Sequence, residues 1–190
     1  PMSRGLGDVY KRQADPHTDG KLSVYFDGSN DYLSIPSNSA LTISTNDFTI
    51  EFWVYLHSRT GYTTFYDQGY TGGNALLLQS NNHASDIRVF TNGTVAFTSS
   101  SSIPLRAWTH VALVRISGVI TLYFNGTSVG TANKSTNFDQ YEVQIGRGST
   151  SHLLDGFLSN YRVVIGSGLY SSTFTPSDVP FTTTCLLYTS

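Results

Sequence analysis

Cysteine is almost absent from this sequence, in which Cys185 is the only one among 190 residues. A single cysteine cannot form an intrachain disulfide, and it excludes a zinc site that is built from several thiolates. The redox compartment stays open, because a well-packed β domain of this size needs no disulfide.

Charge is also scarce. Charged residues make up 13% of the chain, and the formal net charge is -2. This balance provides no electrostatic footprint for nucleic acid or for an anionic membrane surface. No stretch has the length and hydrophobicity of a transmembrane helix, and none has the ordered regions of a secretory signal. The sequence therefore predicts no nucleic-acid partner and no membrane insertion.

Glutamate occurs only twice, as Glu51 and Glu142. A retaining glycosidase needs two carboxyl groups about 5–5.5 Å apart, and these two residues lie on segments far apart in sequence, without a Glu-x-Asp-x-x-Glu pattern. We therefore expect no catalytic residues, and we expect Glu51 to be a surface carboxylate that is hydrogen-bonded to a neighbouring Tyr or His. A transition-metal site is not expected either, because the four histidines of the predicted domain are scattered, at His57, His83, His110 and His152.

The sequence is rich in Tyr, Phe, Ser and Thr and contains 17 glycines. Short runs of β-forming residues recur between turn signals such as Asn125-Gly126, and no stretch shows a sustained helical period. Ten to thirteen short antiparallel strands in one domain, as these runs indicate, are typical of a sandwich or a barrel. Near the end, Pro176 and Pro180 predict a segment that leaves the strand pairing and runs extended along the outside.

The stretch 110–126 predicts a β-hairpin whose strands have two different faces. If Ser117-Gly118 forms a two-residue loop, Ile116 lies opposite Val119 and each further pair steps outward by one residue. One face is almost wholly apolar and should meet the core, with Arg115 near the loop reaching water; it consists of Val111, Leu113, Arg115, Ile120, Leu122 and Phe124. The outer face is half polar and consists of His110, Ala112, Val114, Ile116, Val119, Thr121, Tyr123 and Asn125.

The segment 47–57 repeats this pattern along one long strand. Its inner face carries five large apolar side chains, each worth about 1.5–3 kcal/mol of transfer free energy, at Phe48, Ile50, Phe52, Val54 and Leu56. Its outer face is amphipathic and carries Thr49, Glu51, Trp53, Tyr55 and His57.

Outer faces that combine aromatic rings with polar tips are suited to stacking on sugar rings or to binding a partner. We therefore predict ligand contacts at Trp53, Tyr55 and Tyr123, on the wall of a shallow groove. Further groups are predicted to rim this groove, at Tyr62, Tyr66, Tyr70 and Arg88. The alternative is that these aromatic side chains pack under a neighbouring loop.

Five segments stand in the order found in a known family: VYFDGSNDYLSI, DFTIEFWVYL, WTHVALVRISGVITLYFNG, IGRG and GFLSNYRVVIGSGLYSSTFTPSDVPFT. Over residues 24–181 the chain resembles the laminin-G-like, concanavalin A-like jelly-roll domains. The resemblance implies an all-β fold, a two-sheet antiparallel jelly-roll sandwich. The closing stretch is similar to versions in marine bacterial and phage surface or virion proteins, which implies an extracellular surface or a virion as the location. This fold hosts lectins, glycosidases, adhesion modules and virion decorations, so the fold alone assigns no function.

The resemblance also implies a possible cofactor, since many relatives bind one calcium ion through carboxylates and loop carbonyls. The corresponding loops here contain Asp27, Asp31 and Asp155, which are therefore the expected calcium ligands, in a structural role. Asn160 stands where relatives often carry an aspartate, and this weakens a site at that position. The alternative is that Asp27 and Asp31 merely cap a turn.

The two ends do not follow the pattern of the body. Residues 1–20 and 184–190 resemble translated sequencing-adapter sequence, as flanks genes recovered from environmental DNA, and natural disordered tails are the alternative. The folded domain is therefore predicted to span residues 21–183, as one module of a longer polypeptide.

These observations favour a non-catalytic module that binds a glycan or a protein partner on behalf of a larger surface or virion protein. A structural spacer domain of a virion or an adhesin is the first alternative. A degenerate glycoside hydrolase, with Glu51 as its remaining acid, is the second.

Overall fold

A computed structural model describes residues 23–59, 61–69, 73–82, 86–148, 151–177 and 181. The predicted flanking segments 1–20 and 184–190 lie outside these residues. No helix within the described ranges is long and apolar enough to cross a membrane. The described residues form one 3-10 helix, Ser39–Leu41, and twelve strands: β1 (Val24–Asp27), β2 (Leu33–Ile35), β3 (Phe48–Leu56), β4 (Thr64–Gln68), β5 (Leu76–Ser80), β6 (Asp86–Thr91), β7 (Thr94–Ser102), β8 (Trp108–Ile116), β9 (Val119–Phe124), β10 (Thr127–Asn133), β11 (Val143–Ile145) and β12 (Asp155–Ile165).

The strands form two sheets of six strands each. Sheet A has the order β1-β12-β3-β8-β9-β10, and sheet B has the order β2-β11-β4-β5-β6-β7. The pairings within both sheets are antiparallel, including those between strands far apart in sequence, such as β3 with β12 and β4 with β11. The predicted two-sheet antiparallel jelly-roll sandwich is confirmed.

The core lies between the two sheets and is built from the predicted inner faces. All five predicted inward side chains of β3 are buried, and the ring of Phe52 stacks on that of Phe65 in sheet B at a centroid distance of 5.8 Å. Leu113 and Leu122 of the hairpin β8–β9 belong to the same cluster. Because burial of each such side chain contributes about 1.5–3 kcal/mol, this seam is the main stabilising feature of the fold.

The hairpin β8–β9 has the predicted register. Ile116 pairs with Val119, and the pairs step outward from there. Ser117 and Gly118 have positive φ angles of 50° and 79°, as a type I′ turn requires at both of its central residues. This turn matches the twist of the strands, so inner and outer side chains alternate without interruption through the hairpin.

Arg115 differs from its predicted exposure. The expectation that it reaches water is wrong, because its side chain is buried and only 1% exposed. Its guanidinium group donates to the backbone carbonyls of Asn46, Thr136 and Ser44, each at 2.8 Å. The same group lies 4.9 Å from the ring centroid of Phe138. Arg115 therefore ties two loops together at the end of the sandwich, and its charge is compensated by carbonyl dipoles and an aromatic face.

After β12, residues 166–177 form a strap across the outer face of sheet A. The strand pairing ends at Ile165, before Pro176, and most of the predicted extended segment lies outside the described residues. Over β3, the N–H of Leu169 donates to Oγ1 of Thr49 at 2.9 Å. At the β9–β10 turn, the N–H of Phe174 donates to the carbonyl of Gly126 at 3.1 Å. Gly126 has a φ of 79°, and a Cβ there would lie 1.7 Å from the carbonyl oxygen of Phe174. Only glycine therefore allows the strap to approach this turn.

Candidate functional site

The strap divides the outer face of sheet A into two parts. The covered half lies under the strap and contains Glu51, His110 and Tyr123. The open half lies near the C-terminal end of β3 and contains Tyr55. Between them is Trp53, half-buried, with its ring edge-on to His110 at a centroid distance of 5.3 Å. As predicted, Trp53, Tyr55 and Tyr123 all belong to the face opposite the core.

Glu51 is the centre of the covered half. Its Oε2 lies 3.1 Å from Nε2 of His110 and accepts a hydrogen bond from the hydroxyl of Tyr170 at 2.9 Å. Its Oε1 accepts from Nε of Arg162 at 2.8 Å. The predicted bonding to a Tyr and a His is thus present, but the prediction of a surface position is wrong, because Glu51 is 0% exposed. It lies on a strand with neighbours on both sides, and the strap closes over it.

The electrostatics of this network favour an ionised carboxylate. Burial by itself raises the pKa of Glu51, but hydrogen bonds from His110, Arg162 and Tyr170 outweigh burial, so its pKa is lowered. Burial and the neighbouring carboxylate raise the pKa of Tyr170 to about 12. At neutral pH, Glu51 is therefore an acceptor and Tyr170 a donor. The buried carboxylate has its hydrogen-bond partners, whereas the buried Nδ1 of His110 has none among the described residues.

Tyr123 is turned away from the core, yet it is only 3% exposed. The strap residue Phe174 lies across it with ring centroids 5.5 Å apart, and the Tyr123 hydroxyl donates to the carbonyl of Tyr170 at 3.4 Å. The alternative interpretation, that outer-face aromatics pack under a neighbouring segment, therefore holds for Tyr123. A shallow apolar depression of about 220 Å³ remains at the edge of the strap, lined in part by Val114 and Val119.

The open half contains an aromatic row, formed by one side chain from each of four neighbouring strands. Tyr25 of β1, Phe157 of β12, Tyr55 of β3 and Trp108 of β8 are successive cross-strand partners. Their ring centroids are separated by 5.1 Å, 6.2 Å and 5.6 Å along the row. Because neighbouring strands lie about 4.8 Å apart, the row extends over about 14 Å of the sheet.

Most of the aromatic row is accessible to a ligand. Tyr25, Tyr55 and Trp108 are half-buried, whereas Phe157 is 2% exposed and forms the floor between them. His57 lies beside the row, 5.2 Å from the ring of Phe157 and edge-on to it. The surface thus offers ring faces with phenol, indole and imidazole groups at their margins, which suits a ligand that is apolar on one side and polar at its edges.

Three members of the aromatic row, Tyr25, Phe157 and Trp108, were not among the predicted contacts. In β1 and β12, Tyr25 and Phe157 are next in sequence to the inward-facing residues Phe26 and Leu158. Alternation along each strand therefore places Tyr25 and Phe157 on the outer face, and this much could be predicted from the sequence. What the sequence does not reveal is that β12 lies between β1 and β3, since these pairings join segments about a hundred residues or more apart.

An acidic corner, formed by Asp27, Asp31 and Asp155, adjoins the β1 end of the row. Asp27 and Asp155 are cross-strand partners, and Asp31 accepts from the backbone N–H of Asp27 at 3.1 Å. Backbone N–H groups of Ser29 and Asn30 donate to Asp27 and lower its pKa. Asp27 and Asp31 therefore cap the turn, as the alternative interpretation stated.

The acidic corner is also where calcium is predicted. Asp155 already accepts from the hydroxyl of Ser58 at 2.5 Å, and its other oxygen lies 3.4 Å from Nδ1 of His57. Within the described residues, no group of three or more His, Cys, Asp or Glu side chains is arranged to hold a metal ion. Asn160, five residues along β12, is roughly 16 Å from Asp155 in an extended strand and does not belong to the corner. Calcium stays a prediction from the resemblance.

Ser58, Asp155 and His57 are the residue types of a hydrolase triad, but their order is wrong for one. The hydroxyl of Ser58 donates to Asp155, and His57 contacts the other oxygen of the same carboxylate. In a catalytic triad the histidine stands between the serine and the acid, so that it can take the serine proton. Here the carboxylate stands in the middle, so the trio organises the loop after β3 instead of activating the serine.

Two of the predicted rim residues lie elsewhere. Tyr66 is 0% exposed in the core and donates its hydroxyl to Gln68 at 3.0 Å; its predicted place at a groove is wrong, because β4 is buried along its whole length. Arg88 is wrongly placed as well, since it lies on β6 of sheet B. Tyr62 is near the acidic corner, where its ring lies 4.6 Å from that of His152.

Two predicted positions, Tyr70 and His83, lie outside the described residues. The remaining histidines do not form a cluster: His57 lies at the acidic corner, His110 under the strap, and His152 beside Gln79. Burial lowers the pKa of His152.

A family model described as the concanavalin A-like lectin/glucanases superfamily, of laminin G type, matches residues 27–178. The match covers most of the chain and includes the residues of both halves of the outer face except Tyr25. No curated protein is significantly similar to the chain in sequence.

Several solved structures have the same fold. Domain 4 of AbnA, a GH43 extracellular arabinanase from Geobacillus stearothermophilus in complex with arabinotriose, is 18% identical with a TM-score of 0.63, over 80% of this chain and 75% of that chain. The SAP-like pentraxin from Limulus polyphemus is 16% identical with a TM-score of 0.57, over 80% and 77%. Mouse laminin alpha1 domains LG4-5 are 15% identical with a TM-score of 0.59, over 82% and 44%. At these identities the likeness shows the fold alone.

Proposed function

Because this chain belongs to the concanavalin A-like lectin/glucanases superfamily, we propose that it is a non-catalytic recognition module that binds a glycan for a larger surface protein. The observation that carries the proposal is the aromatic row of the open half, with Tyr25, Tyr55 and Trp108 accessible across neighbouring strands. The structurally similar arabinanase domain is in complex with arabinotriose, which supports a glycan over a protein as the partner. That enzyme is extracellular, and this supports a surface location.

The geometry of the row suits an extended carbohydrate chain. Sugar rings have apolar faces that stack on aromatic rings and hydroxyl groups that point sideways toward polar neighbours. A row of about 14 Å, perpendicular to strands spaced by about 4.8 Å, matches a short oligosaccharide lying across the sheet. His57, at its margin, offers a hydrogen-bonding group within the same surface.

The absence of catalysis is also part of the proposal. Glu51, the acid that a degenerate glycosidase would use, is enclosed by His110, Arg162 and Tyr170 under the strap. Glu142, the other glutamate, is exposed and lies next to β11 of sheet B. An unreactive protein should release no reducing sugar from laminarin or agarose; release that Glu51→Gln abolishes would contradict this part of the proposal.

Binding is tested by titration calorimetry and affinity electrophoresis against a panel of polysaccharides. We expect Tyr55→Ala and Trp108→Ala each to weaken the affinity for a bound glycan at least about tenfold, equivalent to about 1.4 kcal/mol. The matched control is Val119→Ala, which truncates an exposed apolar side chain on the same sheet, far from the row. Binding that survives both aromatic truncations would show that the glycan lies elsewhere.

A second function, a structural spacer in a virion or an adhesin, is favoured by one observation. The strap covers half of the outer face and buries Tyr123, so that part of the sheet contacts only the chain itself. A spacer should bind no glycan of the panel, and its full-length gene should encode tail-fibre or adhesin repeats next to this domain. Binding that depends on Tyr55 would reject the spacer.

A further inference from the structure

The charges around the aromatic row are unevenly distributed. The carboxylates of the acidic corner stand at the β1 end, where Asp155 contacts His57 and pairs across the strands with Asp27. The row itself is close to these charges, because Tyr25 is two residues from Asp27 on β1, and its ring centroid lies 5.7 Å from that of His57, which contacts Asp155. A ligand that stacks on Tyr25 therefore lies in a negative potential.

The nearby arginines do not neutralise this corner. Arg59, next to Ser58, donates its guanidinium group to the carbonyl of Ile103. Arg147 stacks on the ring of Tyr32 at 3.4 Å and donates to Gln144. Arg106 precedes Trp108 at the opposite end of the row. Among the described residues, His57 is the one basic group within ion-pair distance of this corner, and it contacts Asp155 alone.

Carboxylates are acceptors only, and this restricts what can lie beside them. The hydroxyl and amino groups of a neutral or amino-bearing sugar donate hydrogen bonds to such oxygens. Sulfate and uronate groups have no proton to donate at neutral pH, and they carry the same sign of charge. Like charges at this separation repel most strongly at low ionic strength.

We propose that the open half discriminates by charge, accepting uncharged glycans along the aromatic row while the acidic corner excludes sulfated and uronate-bearing ones. This inference rests on the proposed glycan binding and names the ligand class for the same surface. The row supplies the affinity, and Asp27, Asp31 and Asp155 supply the selectivity.

The test compares laminarin with chemically sulfated laminarin, which have the same backbone, within a panel that also contains agarose, arabinan and alginate. Titrations are made in chelator at low ionic strength. We expect the uncharged members to bind at least tenfold more tightly than the anionic ones. The double substitution D27N/D155N should narrow this gap to about threefold, while Asp86→Asn on sheet B, an equal change of charge elsewhere, should leave it unchanged.

Two further measurements keep the inference open to refutation if the double variant does not fold. The single variant Asp31→Asn, which removes one charge and keeps an amide oxygen as acceptor for the N–H of Asp27, should narrow the gap in part. At about 1 M salt the Debye length is about 3 Å. Under this condition the wild-type protein should also lose most of the difference in affinity between uncharged and anionic glycans. Equal binding of both glycan classes, or a gap that neither charge removal nor salt reduces, overturns charge selection alone. Binding of no panel member contradicts the proposed function itself, and the inference with it.

Discussion

The two halves of the outer face of sheet A have similar residues but different cover. Glu51, His110 and Tyr123 lie under the strap, where the Glu51 carboxylate is bonded to His110 and Tyr170 and the Tyr123 hydroxyl donates to the carbonyl of Tyr170. Tyr55 and Trp108, on the same two central strands, lie beyond the strap, and both are half-buried in the described part of the chain. Alternation along a strand thus determines which side chains lie on the outer face. Whether those side chains stabilise the fold or are accessible to a ligand depends on whether a segment distant in sequence covers them.

Of the substitutions considered, Glu51→Gln is expected to lower the free energy of unfolding most. Removal of the charge leaves Arg162 and the other partners facing a neutral amide under the strap, and breaking a buried ion pair in this way costs about 3–5 kcal/mol. Chemical denaturation measures the free energy of unfolding. The control Glu142→Gln removes an exposed carboxylate and should stay within about 0.5 kcal/mol of wild type. An equal, small effect of both substitutions would show that the Glu51 network does not stabilise the fold.

The same variant has a pH signature. The pKa of Glu51 is lowered in the folded protein, so its contribution is present above the unfolded value of about 4.3 and is lost as the pH falls through the folded value. Wild type should therefore lose more stability than Glu51→Gln on acidification below about pH 4. Parallel pH profiles of the two proteins would argue against an ionised Glu51.

The next largest loss of stability is expected from a substitution in the strap, and it can be compared directly with a substitution in the open half. Phe174→Ala removes the strap ring that packs on Tyr123 and His110, and for a half-buried phenylalanine we expect a loss of about 2–3 kcal/mol, below the 3–5 kcal/mol of a fully buried one. Tyr55→Ala in the open half should cost less than about 1 kcal/mol while it weakens glycan binding. Thermal denaturation and titration of both variants check this separation. Equal costs would mean that the open half is as structural as the covered half.

Tyr170→Phe should have a smaller effect, with a signature at alkaline pH. It removes one hydrogen bond to a charged acceptor, worth about 1.5 kcal/mol at neutral pH. The pKa of Tyr170 is raised to about 12, so in wild type its contribution is complete below the unfolded value of about 10 and is lost as the pH rises toward 12. The variant should be less sensitive over this range. Equal sensitivity would indicate that Tyr170 does not hold its proton against Glu51.

Calcium should have the smallest effect. An ion at the acidic corner has to replace the contacts of Asp155 with Ser58 and His57, so we expect weak binding. Millimolar calcium should add at most about 1 kcal/mol to the free energy of unfolding, because a weakly bound ion is then present at only a few times its Kd. Thermal denaturation with calcium and with chelator measures this. A larger gain that Asp27→Asn abolishes would show that the corner is a true metal site.

Much of the fold could be predicted from the sequence because it depends on local rules. The inward residues of β3 and the register of β8–β9 follow from alternation and from a two-residue turn at Ser117-Gly118, and both are confirmed. Arg115 could not be predicted in the same way. Its three carbonyl partners belong to loops that are brought together only by the closed sandwich.

The candidate site could be predicted only in part. The alternation of a single strand predicts Tyr55 and Trp53 on its outer face. The aromatic row depends in addition on the strand order β1-β12-β3, and the pattern within one strand does not show which strands lie beside it. Tyr66 was misplaced because Phe65 and Tyr66, which follow each other, are both buried, and the register of β4 shifts at this point. The cover of Tyr123 could not be predicted either, because the strap residues that contact it, Tyr170 and Phe174, lie about fifty positions later in the sequence.

The aromatic row also has a mechanical consequence. Among the described residues, β1 is a four-residue edge strand that pairs only with β12 in sheet A, so we expect a pull on the preceding chain to detach this strand first. A ligand lying across the row would bridge β1 to β8 and so share that load among four strands. Ligand bound to the aromatic row should then slow amide exchange in β1 more than in β10 at the other edge of sheet A. Binding would thereby increase the resistance of the domain to unfolding by a force applied at β1.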